Sequence, residues 1–259
     1  MNNNSAIQKV EEVLKKFKPI SLAEMDSVQL LNRFDSKYMT TYSDLPSILE
    51  DVKDDYRVLS FNGVCMIKYS NVYFDTEEFK FYFDHHNERA IRQKVRIRKY
   101  AESDACFFEI KLKDNKGRTN KKRITSSDLH DQLTQTEKEL LFSSIPSLEG
   151  QSVIPQLYNF FYRTTLVNLS GKERATIDTN ISFDFNGIHK HLLDLVIIEI
   201  KQDKSSGASA LKAAMRKRKN VGTSISKYCL GNILTHPSIK FNNFKDKIIT
   251  LKKIEHAPF

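Results

Sequence analysis

The 259-residue chain has no tryptophan, 8 glycines, 6 prolines and 3 cysteines. Each scarcity excludes something. With so little glycine and no phosphate-loop motif, a Walker-type nucleotide site is excluded. Cys65, Cys106 and Cys229 are scattered and form no CxxC. They fit buried or inert thiols in a reducing compartment, not a disulfide frame. No apolar run approaches the roughly 18 residues of a membrane span, and MNNNSAIQKVEE has no signal-peptide core. The expectation is a soluble, cytoplasmic protein with no membrane segment. Acid is also in short supply: 32 Asp and Glu face 41 Lys and Arg, a net charge of +9. That surplus calls for an anionic partner such as nucleic acid, a phosphate compound or a membrane surface. The 40% apolar content supports a real core, in one large domain or two small ones.

The surplus is patterned. Arg92, Lys94, Arg96 and Arg98 occupy alternate positions, with Val95 and Ile97 between them. In a strand, alternate residues point to opposite faces, so one face is cationic and the other aliphatic. In CFFEIKLK at 106–113, Glu109, Lys111 and Lys113 oppose Phe108, Ile110 and Leu112. Lys121 and Arg123 share a side of the next segment. As neighbouring antiparallel strands, the three merge into a basic wall. Like charges at about 5 Å and an effective dielectric near 20 cost about 3 kcal/mol per pair before screening. One such strand fits a solvated sheet face; three in succession point to a site for a polyanion.

The remaining chain is read in order. Ile7, Val10, Val13, Leu14 and Phe17 predict a helix over 5–18, capped by Ser5 and stopped by Pro19. Ser21 and Glu24 have the spacing of a capping box. Residues 32–40 read as a short strand with Arg33, Asp35 and Lys37 on one face, and 43–52 as a helix. Aromatic and β-branched residues predict a strand at 69–76. Phe79, Tyr82 and Phe83 have helical spacing. His85 and His86 point apart in either structure. No His or Cys stands near them at ligand spacing, so phosphate binding by one of the two fits better than a metal. A helix is expected over 126–145. In the second half, strands are expected at 157–169 with Arg163, and at 173–181 with Arg174, Thr176 and Asp178 on one face. Another is expected at 194–201, ending in Glu199-Ile200-Lys201, as the earlier strand carried Glu109-Ile110-Lys111. Two such sets suggest a pseudo-duplicated closed antiparallel β-barrel, an α+β tunnel with a basic polar lumen and helices packed outside. The 208–220 segment reads as a helix with a basic end. Ser226 and Lys227 at a helix entrance either hold a phosphate oxygen or simply cap the helix. The basic tail from 240 reads as a loose strand or extension.

These segments resemble the VTC-domain family, polyphosphate polymerases of the triphosphate tunnel metalloenzyme (CYTH-like) superfamily. The matching stretches are RFDSKY at 33–38, YFDT at 73–76, RQKVRIRKY at Arg92–Tyr100 and FFEIKLK at 107–113. They continue with YRT at 162–164, RATID at 174–178, IIEIK at 197–201 and SISKY at 224–228. They run in family order over about residues 30–235. The resemblance implies three parts: an N-terminal helical segment (1–29), a tunnel domain (30–235) and a basic extension (236–259). It implies a β-tunnel that binds ATP and polyphosphate or triphosphate with Mn²⁺ or Mg²⁺. By position, Lys37, Arg96, Arg98, Lys111, Arg163, Arg174, Lys201 and Lys227 would be the catalytic phosphate ligands. Arg92, Ser226 and either Lys121 or Arg123 would add substrate contacts. Glu199 would hold the metal, with Glu109 assisting. Arg33-Phe34-Asp35-Ser36-Lys37 stands where the wider superfamily has an ExExK strand, which favours the polymerase branch. The membrane helices and inositol-phosphate sensor domain of the eukaryotic complex are not matched.

The expected activity is transfer of the ATP γ-phosphate onto a growing polyphosphate chain. The competing readings are hydrolysis of triphosphate or polyphosphate, and non-catalytic polyanion binding. Nucleic acid is disfavoured, because the basic strands carry no surplus of exposed aromatics and two glutamates sit among the cations.

Overall fold

The alternation of charge and aliphatics builds one mixed α/β body around a single sheet. The structure is a computed structural model that describes residues 3–26, 30 and 33–256. Its strands are β1 (Lys18–Ile20), β2 (Arg33–Thr41), β3 (Tyr56–Leu59), β4 (Ile67–Thr76), β5 (Arg92–Tyr100) and β6 (Cys106–Lys113). They continue with β7 (Thr119–Thr125), β8 (Val153–Asn168), β9 (Glu173–Phe185), β10 (Ile188–Leu192) and β11 (Leu195–Asp203). The order across the sheet is β2-β11-β9-β8-β4-β5-β6-β7; β10 adds to β9 and β3 to β8, while β1 pairs with β3 in parallel. Residue 32, where the first basic strand was expected to begin, lies outside the described residues.

The sheet does not close, which corrects the expected barrel. Its terminal strands β2 and β7 are not hydrogen-bonded to each other among the described residues. Irregular chain takes up the edge of β2 instead: Tyr38 bridges to Gly222, and Thr223 N donates to the Lys37 carbonyl at 2.7 Å. At the other edge, β7 is short and largely exposed.

The helices are α1 (Asn3–Leu14), α2 (Leu22–Asp26), α3 (Leu45–Val52), α4 (Lys80–His86), α5 (Gln135–Ser144), α6 (Ala210–Lys217), α7 (Lys227–Thr235) and α8 (Lys245–Glu255). Since α1 begins at Asn3, Ser5 lies within its first turn and does not precede it. The Ser21–Glu24 capping box forms, with Ser21 N donating to Glu24 Oε2 at 2.9 Å. The helix expected over 126–145 is shorter. It starts at the capping box of Thr134 and Glu137, because the Glu137 carboxylate also holds Ser126 and His130 of an irregular approach. The tail forms α8 where a loose extension was expected. Ile248, Leu251 and Ile254 supply its buried stripe.

The apolar faces settle which way the charges point. Val95, Ile97, Phe108 and Ile110 are fully buried. Burying each such side chain stabilises by about 1.5–3 kcal/mol, and a one-residue slip would turn all of them outward. Ile198, Ile200 and Ile177 join α1, α3 and α6 in a second core cluster. Not every helix lies on this outer side. Gly231 of α7 sits so close to the sheet that a Cβ there would fall 2.4 Å from Leu157 and 2.5 Å from Phe183. Leu157 is opposite Tyr73, Tyr73 is opposite Arg96, and Phe183 is opposite Asn159. Thus α7 packs on the same face as the arginines and fills one end of the concavity. This corrects the expectation that the helices are all external. The Glu255 carboxylate of α8 accepts from the backbone N–H groups of Leu193, Asp194 and Leu195 and fastens that helix beside it.

Candidate anion-binding and catalytic site

Antiparallel register carries one polar face across eight strands. Lys37 lies opposite Glu199, and Glu199 opposite Thr176. Asp178 lies opposite Arg163, Arg98 opposite Asn71, and Arg96 between Tyr73 and Glu109. Lys111 lies between Lys94 and Lys121. The expected phosphate ligands on β2, β5, β6, β8, β9 and β11 therefore share one face, and Lys227 reaches it from the start of α7.

The face divides into two regions. In the first, carboxylates built into the sheet neutralise the cations. The Arg163 guanidinium forks onto Asp178 at 2.6 and 2.8 Å, and Lys227 closes on the same carboxylate. Arg96 donates twice to Glu109 Oε2, at 2.9 and 2.6 Å, while Lys121 binds the other oxygen. Burial would raise both carboxyls. The cations outweigh it, lowering Asp178 well below the usual range and Glu109 to about 2. Arg98 has no carboxylate partner among the described residues; its Nε donates to Asn71 Oδ1 at 2.8 Å and its guanidinium lies 5.0 Å from the Tyr69 ring centre. Arg123, the alternative to Lys121, lies at the exposed end over Phe107. Arg174 is opposite Lys201 on the neighbouring strand.

The second region is a cavity of about 1070 Å³ lined by ten lysines and arginines against Asp35 and Glu88. Lys37, Arg92, Lys94, Lys111 and Ser226 all face it. Among the described residues, Lys37, Lys94 and Lys111 have no carboxylate partner. Lys37 Nζ meets only the Ile225 carbonyl at 3.3 Å, and Lys94 Nζ the Ser226 hydroxyl at 3.0 Å. Burial, together with Lys37, Lys111 and Arg96 nearby, pushes the Lys94 ammonium down to about 7. Burial likewise lowers Lys111. Ser226 caps α7 by accepting from Cys229 N, so its hydroxyl serves the helix and the cavity at once.

Glu199 joins the two regions. Burial acts to raise its carboxyl, but Lys37, Lys201, Arg163 and Lys227 hold it down at about 2. Its one ion pair among the described residues is the 3.9 Å approach of Lys201. Across the strand pair, the Thr176 hydroxyl is buried without a hydrogen-bond partner. An ionised carboxylate beside an orphaned hydroxyl fits a hard cation that completes its shell with phosphate and water oxygens. The described residues offer no cluster of three acidic, His or Cys side chains for an all-protein metal cage. Glu109, already clasped by Arg96 and Lys121, has less to offer a metal.

Sequence reading left two groups out of the site that the structure brings in. Lys94 belongs to the same alternation as Arg96 and was left out of the ligand set. Asp178 lies two residues past Thr176 on a face already recognised as polar, so parity alone would have found it. Of the two histidines expected to include a phosphate-binding one, His85 lines the cavity and His86 is buried; the fold of α4 against β5 decides between them.

The profile of one family, described as the VTC domain, matches residues 32–236. The chain belongs to the VTC-domain family. No functionally curated protein matches it. Among solved structures it is similar to a Hippeastrum protein studied as an adenylyl cyclase and found to have a dominant triphosphatase activity. That likeness has 12% identity over 78% of this chain and 96% of that one, with a TM-score of 0.43. A Vibrio parahaemolyticus protein considered an adenylate cyclase is 13% identical over 84% of this chain and 99% of that one, at TM-score 0.39. A Pyrococcus horikoshii OT3 protein is 13% identical over 72% of this chain and 88% of that one, at TM-score 0.37. Membership and the basic cavity give this VTC domain a function directed at triphosphate or polyphosphate. Among its described residues, no helix is long and apolar enough to cross a membrane.

Proposed function

We propose that this VTC domain is a metal-dependent polyphosphate polymerase that transfers the γ-phosphate of ATP to the end of a polyphosphate chain. The observation that carries the reading is the cavity with ten cations, in which Lys37, Lys94 and Lys111 lack carboxylate partners among the described residues. Crowded, partly desolvated cations without counter-ions are costly, and a chain of phosphates supplies the missing charge at regular spacing. Phosphoryl transfer asks for alignment and charge neutralisation more than for covalent help. Lysines serve as point charges along the chain, and arginines fork onto phosphate oxygens. Arg96, Arg163 and Lys227, held rigidly by Glu109 and Asp178, form a fixed wall beside which the reacting phosphate is oriented. Glu199, with Thr176 at its side, would hold Mn²⁺ or Mg²⁺, which supplies charge neutralisation to the γ-phosphate when bound. ATP and polyphosphate are the partners this reading requires.

The deciding experiment incubates the protein with γ-labelled ATP and Mn²⁺ or Mg²⁺ and resolves long polymer from free phosphate. A polymer ladder is expected. Phosphate alone would make the protein a triphosphatase or polyphosphatase, and neither product would leave a polyanion-binding module.

A further inference from the structure

Tyr73 of β4 stands on the polar face, opposite Arg96 of β5 and Leu157 of β8. It is buried, and its ring packs on Tyr228 of α7 with centres 5.2 Å apart. Its hydroxyl oxygen accepts from Arg96 Nη1 at 3.3 Å. The oxygen therefore turns its own hydrogen away from Arg96, and no described residue accepts it. Tyr82 and Tyr228, buried like Tyr73, donate theirs to the Lys240 carbonyl and to Asp75. A phenol has one hydrogen to give, and a buried donor left unmade costs its desolvation. The electrostatics differ too. Burial acts to raise the Tyr73 phenol, but Arg96 and Arg98 of β5 and Lys227 of α7 outweigh it and lower it. Burial pushes the phenols of Tyr42, Tyr82 and Tyr228 up. A phenol polarised by an N–H at its oxygen is the stronger donor.

We propose that Tyr73 is a further catalytic residue, whose O–H donates to a non-bridging oxygen of the reacting phosphate. The role rests on the reading that sets this phosphate against the wall of Arg96, Arg163 and Lys227. Arg96 and Lys227, which act on the phenol, belong to that wall, so the free hydrogen lies where the phosphate is oriented. Glu109 and Asp178 already meet the charges of these two cations. A phosphate set against a neutralised wall gains from directed donors as well as from charge. The phenol supplies a donor without adding charge, and the packing of its ring on Tyr228 fixes where it points.

Tyr73 transfers no proton in this role. It keeps its hydrogen and holds one phosphate oxygen while the P–O bonds are exchanged. Bound phosphate preserves the donor, because the anion opposes loss of the phenol proton and offsets the pull of Arg96, Arg98 and Lys227. An ionised phenol has no hydrogen to give and repels the phosphate. Affinity for a polyanion should therefore fall as Tyr73 ionises in the free protein.

The test uses the whole chain and tripolyphosphate as the probe. Tyr73→Phe removes one oxygen and keeps the ring on Tyr228. It should bind tripolyphosphate about 10- to 100-fold more weakly and lower kcat/KM for ATP by a similar factor. Proton NMR of the wild type should show a slowly exchanging phenolic hydrogen, coupled to ³¹P, that appears only with tripolyphosphate. Ultraviolet difference titration of wild type against Tyr73→Phe should place this phenol below the ordinary tyrosine value of about 10 in the free protein. Saturating tripolyphosphate should move it up. A folded Tyr73→Phe that binds tripolyphosphate as the wild type does overturns the role. Weakened binding without a ³¹P-coupled hydrogen in the wild type also overturns it, since the hydroxyl then acts only by steadying Arg96. The wild-type spectrum decides the matter even where the variant fails to fold. A wild type that does not bind tripolyphosphate overturns the reading of the wall as a phosphate site, and this role with it.

Discussion

Glu199 of β11 stands directly opposite Lys37 of β2 on the shared polar face of the sheet. The pairing sets an ionised carboxylate beside Lys37 of the basic cavity, and Lys201 approaches it to only 3.9 Å. If Glu199 holds a divalent cation, Glu199→Gln should lower metal-dependent turnover by about 10²–10³-fold, the range seen when one preorganised charge contact is lost. Tripolyphosphate should still bind, and more tightly without metal, because a negative charge has gone. Turnover measured against Mn²⁺ concentration for both proteins checks this. An unchanged titration curve would make Glu199 a structural counter-ion to Lys37 and Lys201.

Asp178 has the opposite character. It is buried and clasped by both Arg163 and Lys227. Asp178→Asn leaves two buried cations against a neutral amide, a change that costs about 3–5 kcal/mol. The melting temperature should fall accordingly. Tripolyphosphate should then raise it further than it does in the wild type, since the anion replaces the lost charge. The pH dependence follows from the lowered carboxyl. Its stabilising contribution is present above the unfolded carboxyl's ordinary pKa and is lost as pH falls below it. Wild-type stability should therefore fall more steeply below about pH 4 than that of Asp178→Asn, in which this contribution is already absent. Differential scanning calorimetry on both proteins, from neutral to acid pH, measures each part.

How far the residues announced this arrangement depends on the kind of information each element carries. The polar face was plain in the sequence, because period-two alternation at Arg92–Tyr100 admits one reading once Val95 and Ile97 must be buried. Closure was not plain. Alternation fixes a strand's faces but says nothing about its edge partner, and here Gly222 and Thr223 occupy the edge that a closing strand would need. The position of α7 was hidden for a similar reason. Its buried residues include Tyr228, Cys229, Leu230 and Leu234, and such a pattern shows that a helix is covered without showing by which face of the sheet. The division between neutralised and unpartnered cations was hidden as well. It depends on register and reach together: Arg96 lies directly opposite Glu109, whereas on the other side Arg123 is opposite it and Lys121 reaches it diagonally.

Lys94 in the cavity and Lys201 on the adjoining polar face give the site a proton signature. Burial lowers Lys94 to about 7 and Lys201 to about 8, although Glu199 and Asp35 act to raise the latter. Near pH 8, a large share of these amines is therefore neutral in the free protein. A bound phosphate chain favours the ammonium form, so binding should take up protons. Isothermal titration of tripolyphosphate at pH 8, in buffers of different ionisation enthalpy, should show net uptake that shrinks toward pH 6. The stability linkage has the same origin. The unfolded lysines bind more protons than the folded ones between their folded values and about 10.4. The contribution of these two groups to stability therefore falls as pH drops through that window, and saturating tripolyphosphate should remove the fall. Binding without proton uptake at pH 8 would place the phosphate chain away from both amines.

Lys111 offers the cleanest separation of binding from folding. It lies on the polar face of β6 between Lys94 and Lys121 and forms no ion pair among the described residues. Burial lowers its ammonium, with Lys37 the next influence in the same direction. In the free protein its charge is thus a liability, and Lys111→Ala should leave the melting temperature unchanged or raise it. Against a polyanion the same charge is an asset. A charge-assisted contact contributes about 1.5–3 kcal/mol, so the variant should bind tripolyphosphate about 10- to 100-fold more weakly. Arg163→Ala is the control. It removes the fork onto Asp178 and should destabilise the fold whether or not ligand is present. Thermal denaturation and calorimetric binding of the two variants, side by side, test the division of the face. If Lys111→Ala kept wild-type affinity for tripolyphosphate, the unpartnered cations would not be the phosphate path, and the chain would have to run along the wall formed by Arg96 and Arg163.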